Sequence, residues 1–305
     1  MSRPGSGLRF YGALAVASTS LFHAHDVYAQ FKPPTWTLSP SPQARTTAPS
    51  LVAQAQEPPA SVVDPIPPLT AIQRPWPSPS LNPGVPSAFI ANWGDVFIGV
   101  AAATAGNQRP DADGSWGAGF GVGNAERAVA LEVSGGCGSF KQFCANGGLG
   151  FRVGRVLMKK PTGLLALSGG WQNAVQWGNE GQQDNIYSAT LSYAFPLREI
   201  STDFPQTLQI NAGVGNSSFA PYSPTNSEDK VGGFASIGVE LSPAFGVSAG
   251  WSGRGANAQL SYTPFRETPV TINLLGADLF NQNPAGTVGI LSVTWGRTFL
   301  TPNFR

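Results

Sequence analysis

From about Ala88 to the C-terminus, apolar residues recur at every second position, in short runs separated by polar or glycine-rich connections. The run IYSATLSYAFPL, 186–197, shows the form. Tyr187, Ala189, Leu191, Tyr193, Phe195 and Leu197 fall on one face, and Ser188, Thr190, Ser192 and Ala194 on the other. A period of two predicts a β-strand with two unlike sides. Twelve such strands are expected, over 93–104, 115–123, 128–137, 147–157, 164–177, 186–197, 208–216, 231–241, 245–253, 258–265, 270–279 and 287–300. No proline in this region falls in the middle of a run, as expected for a residue that cannot donate a ladder hydrogen bond.

The connections alternate in length. Those at 124–127, 159–163, 242–244 and 266–269 are compact, whereas 105–114, 179–185, 223–230 and 281–286 are polar and mostly longer. Tight turns at one end and longer loops at the other are the habit of transmembrane barrels. The stretch 198–207 fits poorly, being long yet on the tight-turn end, so ten or fourteen strands stand as alternatives to twelve.

Alternation alone does not say which face meets water. A soluble β protein would carry Lys, Glu, Arg and Asp on its polar face. Here that face is Gly, Ser, Thr, Asn and Gln, and the whole chain of 305 residues is only 11% charged, against roughly 25% for an ordinary soluble domain. The apolar face is therefore expected to meet lipid and the small polar face a lumen. Trp93, Trp116, Tyr187, Phe195, Trp251, Tyr262, Phe265 and Trp295 can be placed near strand ends, where interfacial aromatics collect. No apolar run reaches the ~20 residues of a membrane helix, and without helices only a closed barrel satisfies every backbone group in lipid. The net charge of +1 makes no electrostatic case for nucleic acid.

The chain ends in TWGRTFLTPNFR, with Phe299 and a penultimate Phe304 before Arg305. With this ending, the alternation and the loop asymmetry, residues 88–305 resemble a bacterial outer-membrane β-barrel of the porin-like kind, of no particular subfamily. The fold implied is all-β: a closed antiparallel transmembrane barrel of about twelve strands. The resemblance implies a Gram-negative outer-membrane location, both termini periplasmic, contact with outer-membrane lipid, and a final aromatic read by the insertion machinery. The function implied is a narrow channel for small polar solutes or ions, with no enzymatic chemistry. The alternatives are a non-conducting structural or adhesive barrel acting through its external loops, and a secreted soluble β-rich protein.

Ahead of the barrel, residues 1–29 read as a signal peptide. Arg3 and Arg9 precede an apolar stretch at 11–24, and Val27-Tyr28-Ala29 resembles a cleavage site. Residues 30–87 hold most of the 27 prolines and keep no period, so they are expected to be a disordered periplasmic leader.

Candidate chemistry is sparse. Cys137 and Cys144, the only cysteines, lie close together on an external hairpin of an exported chain and are expected to form a disulfide. No metal site is expected, since no His or further Cys is nearby, and no cofactor is implied. Both histidines, His23 and His25, fall in the signal, so a His-dependent hydrolase is excluded once the signal is cleaved. GAGFGVGN (117–124) departs from G-x-G-x-x-G and lies on a strand, so it reads as a strand with a glycine face. The candidate pore-lining residues are Asp95, Glu132, Arg152, Gln172, Asn211, Glu240 and Arg254. Their charges form either a selectivity ring or a paired plug. Pairing of Arg152 and Arg254 with Glu132 and Glu240 would favour the plug.

Overall fold

The computed structural model describes residues 78–107, 111–141, 144–160, 162–178, 185–198, 204, 206–221, 230–266 and 268–299. The expected signal, the leader up to residue 77, parts of several loops and the end of the chain lie outside these residues. Twelve strands follow in order: β1 (Asp95–Ala103), β2 (Asp113–Gly123), β3 (Ala130–Cys137), β4 (Gly147–Lys160), β5 (Gly163–Trp177), β6 (Ile186–Pro196), β7 (Thr207–Asn216), β8 (Val231–Glu240), β9 (Phe245–Trp251), β10 (Ala256–Tyr262), β11 (Val270–Ala277) and β12 (Val288–Thr298). Each pairs antiparallel with its sequence neighbours, and β1 closes on β12 with Ile98 opposite Trp295. The awkward connection 198–207 simply joins β6 to β7, which are ordinary neighbours, so the alternatives of ten and fourteen strands fall away.

The two faces are inverted relative to a soluble protein. Ile98, Leu191, Ile210, Ile237, Leu260 and Leu291 point out and are exposed, while Ser115, Thr190, Ser192, Asn211, Gln259 and Thr294 point in and are buried. This is the arrangement of a transmembrane barrel. Aromatic pairs mark both rims. At the end where β1 starts and β12 finishes, the near end, Tyr193 stacks on Phe195 (5.2 Å) and Phe245 on Tyr262 (4.5 Å). At the far end Trp171 stacks on Tyr187 (5.8 Å). The far end also carries the hairpin between β3 and β4, closed by the Cys137–Cys144 disulfide.

One boundary needs correction. The leader was expected to run to residue 87, outside the barrel, yet every residue from Ser78 to Ala91 is buried inside it. The reason is steric. Eight strands are filled by their own side chains, and larger barrels are not. Here a twelve-strand wall carries inward-facing Gly117, Gly119, Gly121, Gly150, Gly154 and Gly238, which cannot meet across the centre. A separate piece of chain fills the gap.

Candidate functional site

The site is the lumen with segment 78–92 inside it. The segment enters at the near end, where Pro79 and Leu81 lie over Gly246 and the Ser80 N–H donates to Ser261 Oγ (2.7 Å). It climbs until Val85 meets Ile186, Phe219 and Phe234 close to the far end. Between these points Gly84 adopts φ 71°, and its N–H donates to the Asn82 carbonyl (3.0 Å). This backbone conformation suits glycine, and it turns the chain back. The return limb passes Ser87 to Ala91 and leaves at the near end. There Asn92 Oδ1 accepts from the Ala125 N–H (2.7 Å), and the Trp93 N–H donates to the Gly123 carbonyl (2.7 Å). The segment is thus a re-entrant hairpin with both limbs opening at one end.

Wall side chains bind its backbone directly. Gln259 Nε2 reaches the Ser80 carbonyl (3.4 Å), and Asn257 Nδ2 donates to the Pro83 carbonyl (3.0 Å). Arg152 Nη2 donates to the Ser87 carbonyl. Ser192 Oγ accepts from the Ala88 N–H (2.7 Å), and Glu132 Oε2 from the Ala91 N–H (3.0 Å). At the centre Gln209 Nε2 (2.8 Å) and Asn211 Nδ2 (2.9 Å) both donate to Asn82 Oδ1. Asn211 also accepts from Ser192 Oγ (2.6 Å) and donates to Ser236 Oγ (2.9 Å), so it ties three strands to the segment.

Apolar contacts hold the near-end half. Phe89 and Ile90 enter a socket of Ala125, Ala130, Val156, Leu164, Ala166 and Ala194. The wall is trimmed to fit: a Cβ on Gly154 would stand 2.9 Å from Ile90 Cδ1, and one on Gly238 would stand 2.5 Å from the Leu81 carbonyl oxygen.

The seven candidate lining residues divide among several places. Glu132 and Arg152 are buried and paired at 3.6 Å, and each also grips the segment. Asn211 is at its centre. Gln172, half-buried near the far end of β5, faces inward by the alternation of its strand. Asp95 sits at the near mouth, where its Oδ2 accepts from the Asn92 N–H (2.8 Å). Glu240 is buried at the near end, and its Oε2 accepts from the Thr207 N–H (2.7 Å). Arg254 lies at the far end, outside the strands, and donates to the Ala220 (3.1 Å) and Ser217 (2.7 Å) carbonyls. Of the pairings that would favour a plug, that of Arg152 with Glu132 is present, whereas Arg254 and Glu240 lie at opposite ends. The shallow cavity beside Arg254, about 400 Å³, is bordered by Pro221, Trp251 and Asn283 and opens at the far rim.

Sequence reasoning missed the occupant itself: Ser80, Leu81, Asn82, Val85, Ser87, Phe89 and Ile90. A signal was present. PSLNPGVPSAFIAN, 79–92, carries no charge and four large apolar residues, in a leader whose other parts include Glu57, Asp64 and Arg74. The density of proline hid it.

No family model and no curated protein matches the sequence. Among solved structures the chain is similar to Omp33, an outer-membrane protein of Acinetobacter baumannii, at 8% identity and TM-score 0.39, over 66% of this chain and 97% of that one. It is similar to the COG4313 outer membrane channel of Pseudomonas putida F1 at 12% identity and TM-score 0.41, over 68% and 96%. It is also similar to Ail, the attachment invasion locus protein of Yersinia pestis, at 7% identity and TM-score 0.17, over 67% and 99%. Omp33 and the COG4313 channel are outer-membrane proteins.

Proposed function

We propose that this protein is an outer-membrane barrel that acts as a narrow channel for small polar solutes and ions, held shut by residues 78–92 until that segment withdraws. The near end is then periplasmic, which leaves both termini on that side. One observation carries the reading: the segment reverses at Gly84 and both of its limbs open at the near end, so it can leave as a unit without being threaded through. The wall behind it is polar and almost uncharged, as a route for small neutral solutes requires. With the segment out, Glu132, Arg152, Gln172, Asn211 and Glu240 would line the route, with Asp95 and Arg254 at its mouths. Ser248 Oγ, Thr271 Oγ1 and Asn273 Oδ1 are buried on the inner wall with no hydrogen-bond partner among the described residues.

A second reading is favoured by the Phe89–Ile90 socket and the Glu132–Arg152 grip, which make the segment part of the core. In that case the barrel never conducts and works through its far-end loops, one of them pinned by the disulfide. The test is single-channel current in a planar bilayer, comparing the full chain with a variant lacking residues 79–91. Heat-dependent gel mobility checks folding beforehand. A nearly silent full chain and stable current steps from the shortened one are expected. A folded shortened barrel that passes no current would leave the second reading in place.

A further inference from the structure

We infer that the lumen is a peptide-binding site, built to take an uncharged, proline-broken peptide folded back on itself, and that segment 78–91 is the copy of that ligand carried by the chain itself. This goes beyond conduction: it names what the wall recognises, and it relies on the proposed function only for the withdrawal that would free the site.

The wall treats the segment as a ligand. Six of its main-chain groups are bound by wall side chains: the Ser80 N–H and carbonyl, the Pro83 and Ser87 carbonyls, and the Ala88 and Ala91 N–H groups. Buried backbone must find partners in secondary structure, side chains or water, and here side chains supply them. Here the backbone is read by Ser261, Gln259, Asn257, Arg152, Ser192 and Glu132, donors and acceptors set on rigid strands. Such contacts fix each limb of the chain through its backbone, as strand-type peptide recognition does.

Selectivity would come from three pockets and one clamp. Leu81 lies on Gly238 and Gly246, Val85 meets Phe219 and Phe234, and Phe89 with Ile90 fills the alanine-rich socket. The apolar positions therefore fall four residues apart, at 81, 85 and 89. Gln209 and Asn211 clamp the Asn82 side chain between the first two pockets. Prolines at 83 and 86 fix φ on either side of the Gly84 turn and lower the ordering cost of the chain. The ligand class follows from this wall: an apolar residue at every fourth position, an amide after the first, proline between, and no charge. A charged residue in place of Phe89 would be buried among Ala125, Ala130, Val156, Leu164, Ala166 and Ala194.

The test uses the variant lacking residues 78–91 and a labelled synthetic peptide of that sequence. Saturable binding is expected. It should weaken at least tenfold with Asn211→Ala in the barrel or Phe89→Asp in the peptide, and a scrambled peptide should not bind. Current steps, if the shortened barrel gives them, should be blocked by the peptide over the same concentration range. A folded barrel that ignores the peptide, or binds the scrambled one equally well, would overturn the inference. If the shortened chain does not fold alone, the peptide is added during refolding. Recovery of the heat-resistant barrel then supports the site, and failure at millimolar peptide contradicts it. The two proposals fail separately. A silent barrel that binds the peptide sinks conduction alone, and a conducting barrel that the peptide neither binds nor blocks sinks the peptide site alone.

Discussion

The inner wall has two arcs that differ in what they do. Along β3 to β10 the inward side chains hold the segment: Glu132, Arg152, Ser192, Gln209, Asn211, Asn257, Gln259 and Ser261 all bond to it. Along β11, β12 and β1 the wall is smaller and more self-contained. Asn273 Nδ2 donates to Ser292 Oγ on the next strand (3.2 Å), and Ala101, Ala103, Leu275, Val288 and Ile290 form an apolar cluster. Both arcs obey the same alternation and neither carries many charges. The difference is in bonding. Eight side chains of the first arc bond to the segment, whereas on the second Asp95 does so at the near mouth; among the described residues unpartnered buried oxygens occur on both, Ser248 Oγ on the first and Thr271 Oγ1 and Asn273 Oδ1 on the second. A polar lumen wall is thus not one surface. One side holds the segment, and the other is bonded chiefly to itself.

Breaking the binding arc should have the largest effects. Arg152→Ala would leave Glu132 as an unpaired buried charge and release the Ser87 carbonyl. A loss of about 3–5 kcal/mol is expected, read as a fall in the temperature at which the barrel loses its heat-resistant gel mobility. Phe89→Ala should cost a similar amount, about 3–5 kcal/mol, by emptying the alanine-rich socket. It should also raise open probability in the bilayer, which a purely structural loss would not do.

A matched pair sharpens the contrast between the arcs. Asn211→Ala removes partners from Asn82, Ser192, Ser236 and Gln209, and should cost about 2 kcal/mol or more, since several buried groups lose their bonds at once. Asn273→Ala strands only Ser292 and removes an unpartnered oxygen, so a change within about 1 kcal/mol is expected. Equal losses in the two variants, measured by urea titration in detergent, would erase the distinction. The most local effect belongs outside the lumen. Cys137→Ser should leave the segment in place and loosen only the far-end hairpin, by about 2–3 kcal/mol of loop constraint. The expected readout is faster proteolysis near residue 140 with unchanged bilayer current.

How much of this was legible in the sequence follows from what fixes each feature. The strands were readable because their period is two and their faces differ: Leu191 out and Ser192 in is a local statement. The inversion was readable because an exterior of Ile, Leu and Val has no charged counterpart elsewhere on the strand. The Cys137–Cys144 link was readable from spacing and export. The occupant was not, because no local rule places Ser80 beside Ser261, or Asn82 beside Asn211. Those contacts depend on the width that twelve strands and an inner glycine face leave open. Nothing local marks the glycines at 154 and 238, and only the packed structure shows that Ile90 and Leu81 need the space. The charged candidates were separable only in part. Glu132 and Arg152 face each other across β3 and β4, with the two residues in register. Glu240 and Arg254 are set apart by the length of β9, which no composition argument could supply.

The most direct test of the account is whether residue 80 lies against residue 261 inside the folded protein in membranes. A full-length chain carrying Ser80→Cys and Ser261→Cys, both positions buried in the lumen, is oxidised in the outer membrane and then digested. The account predicts a covalent link between the fragments carrying these two positions, and no link in the single-substitution chains. A correctly folded barrel that forms no such link would contradict the claim that segment 78–92 occupies the lumen.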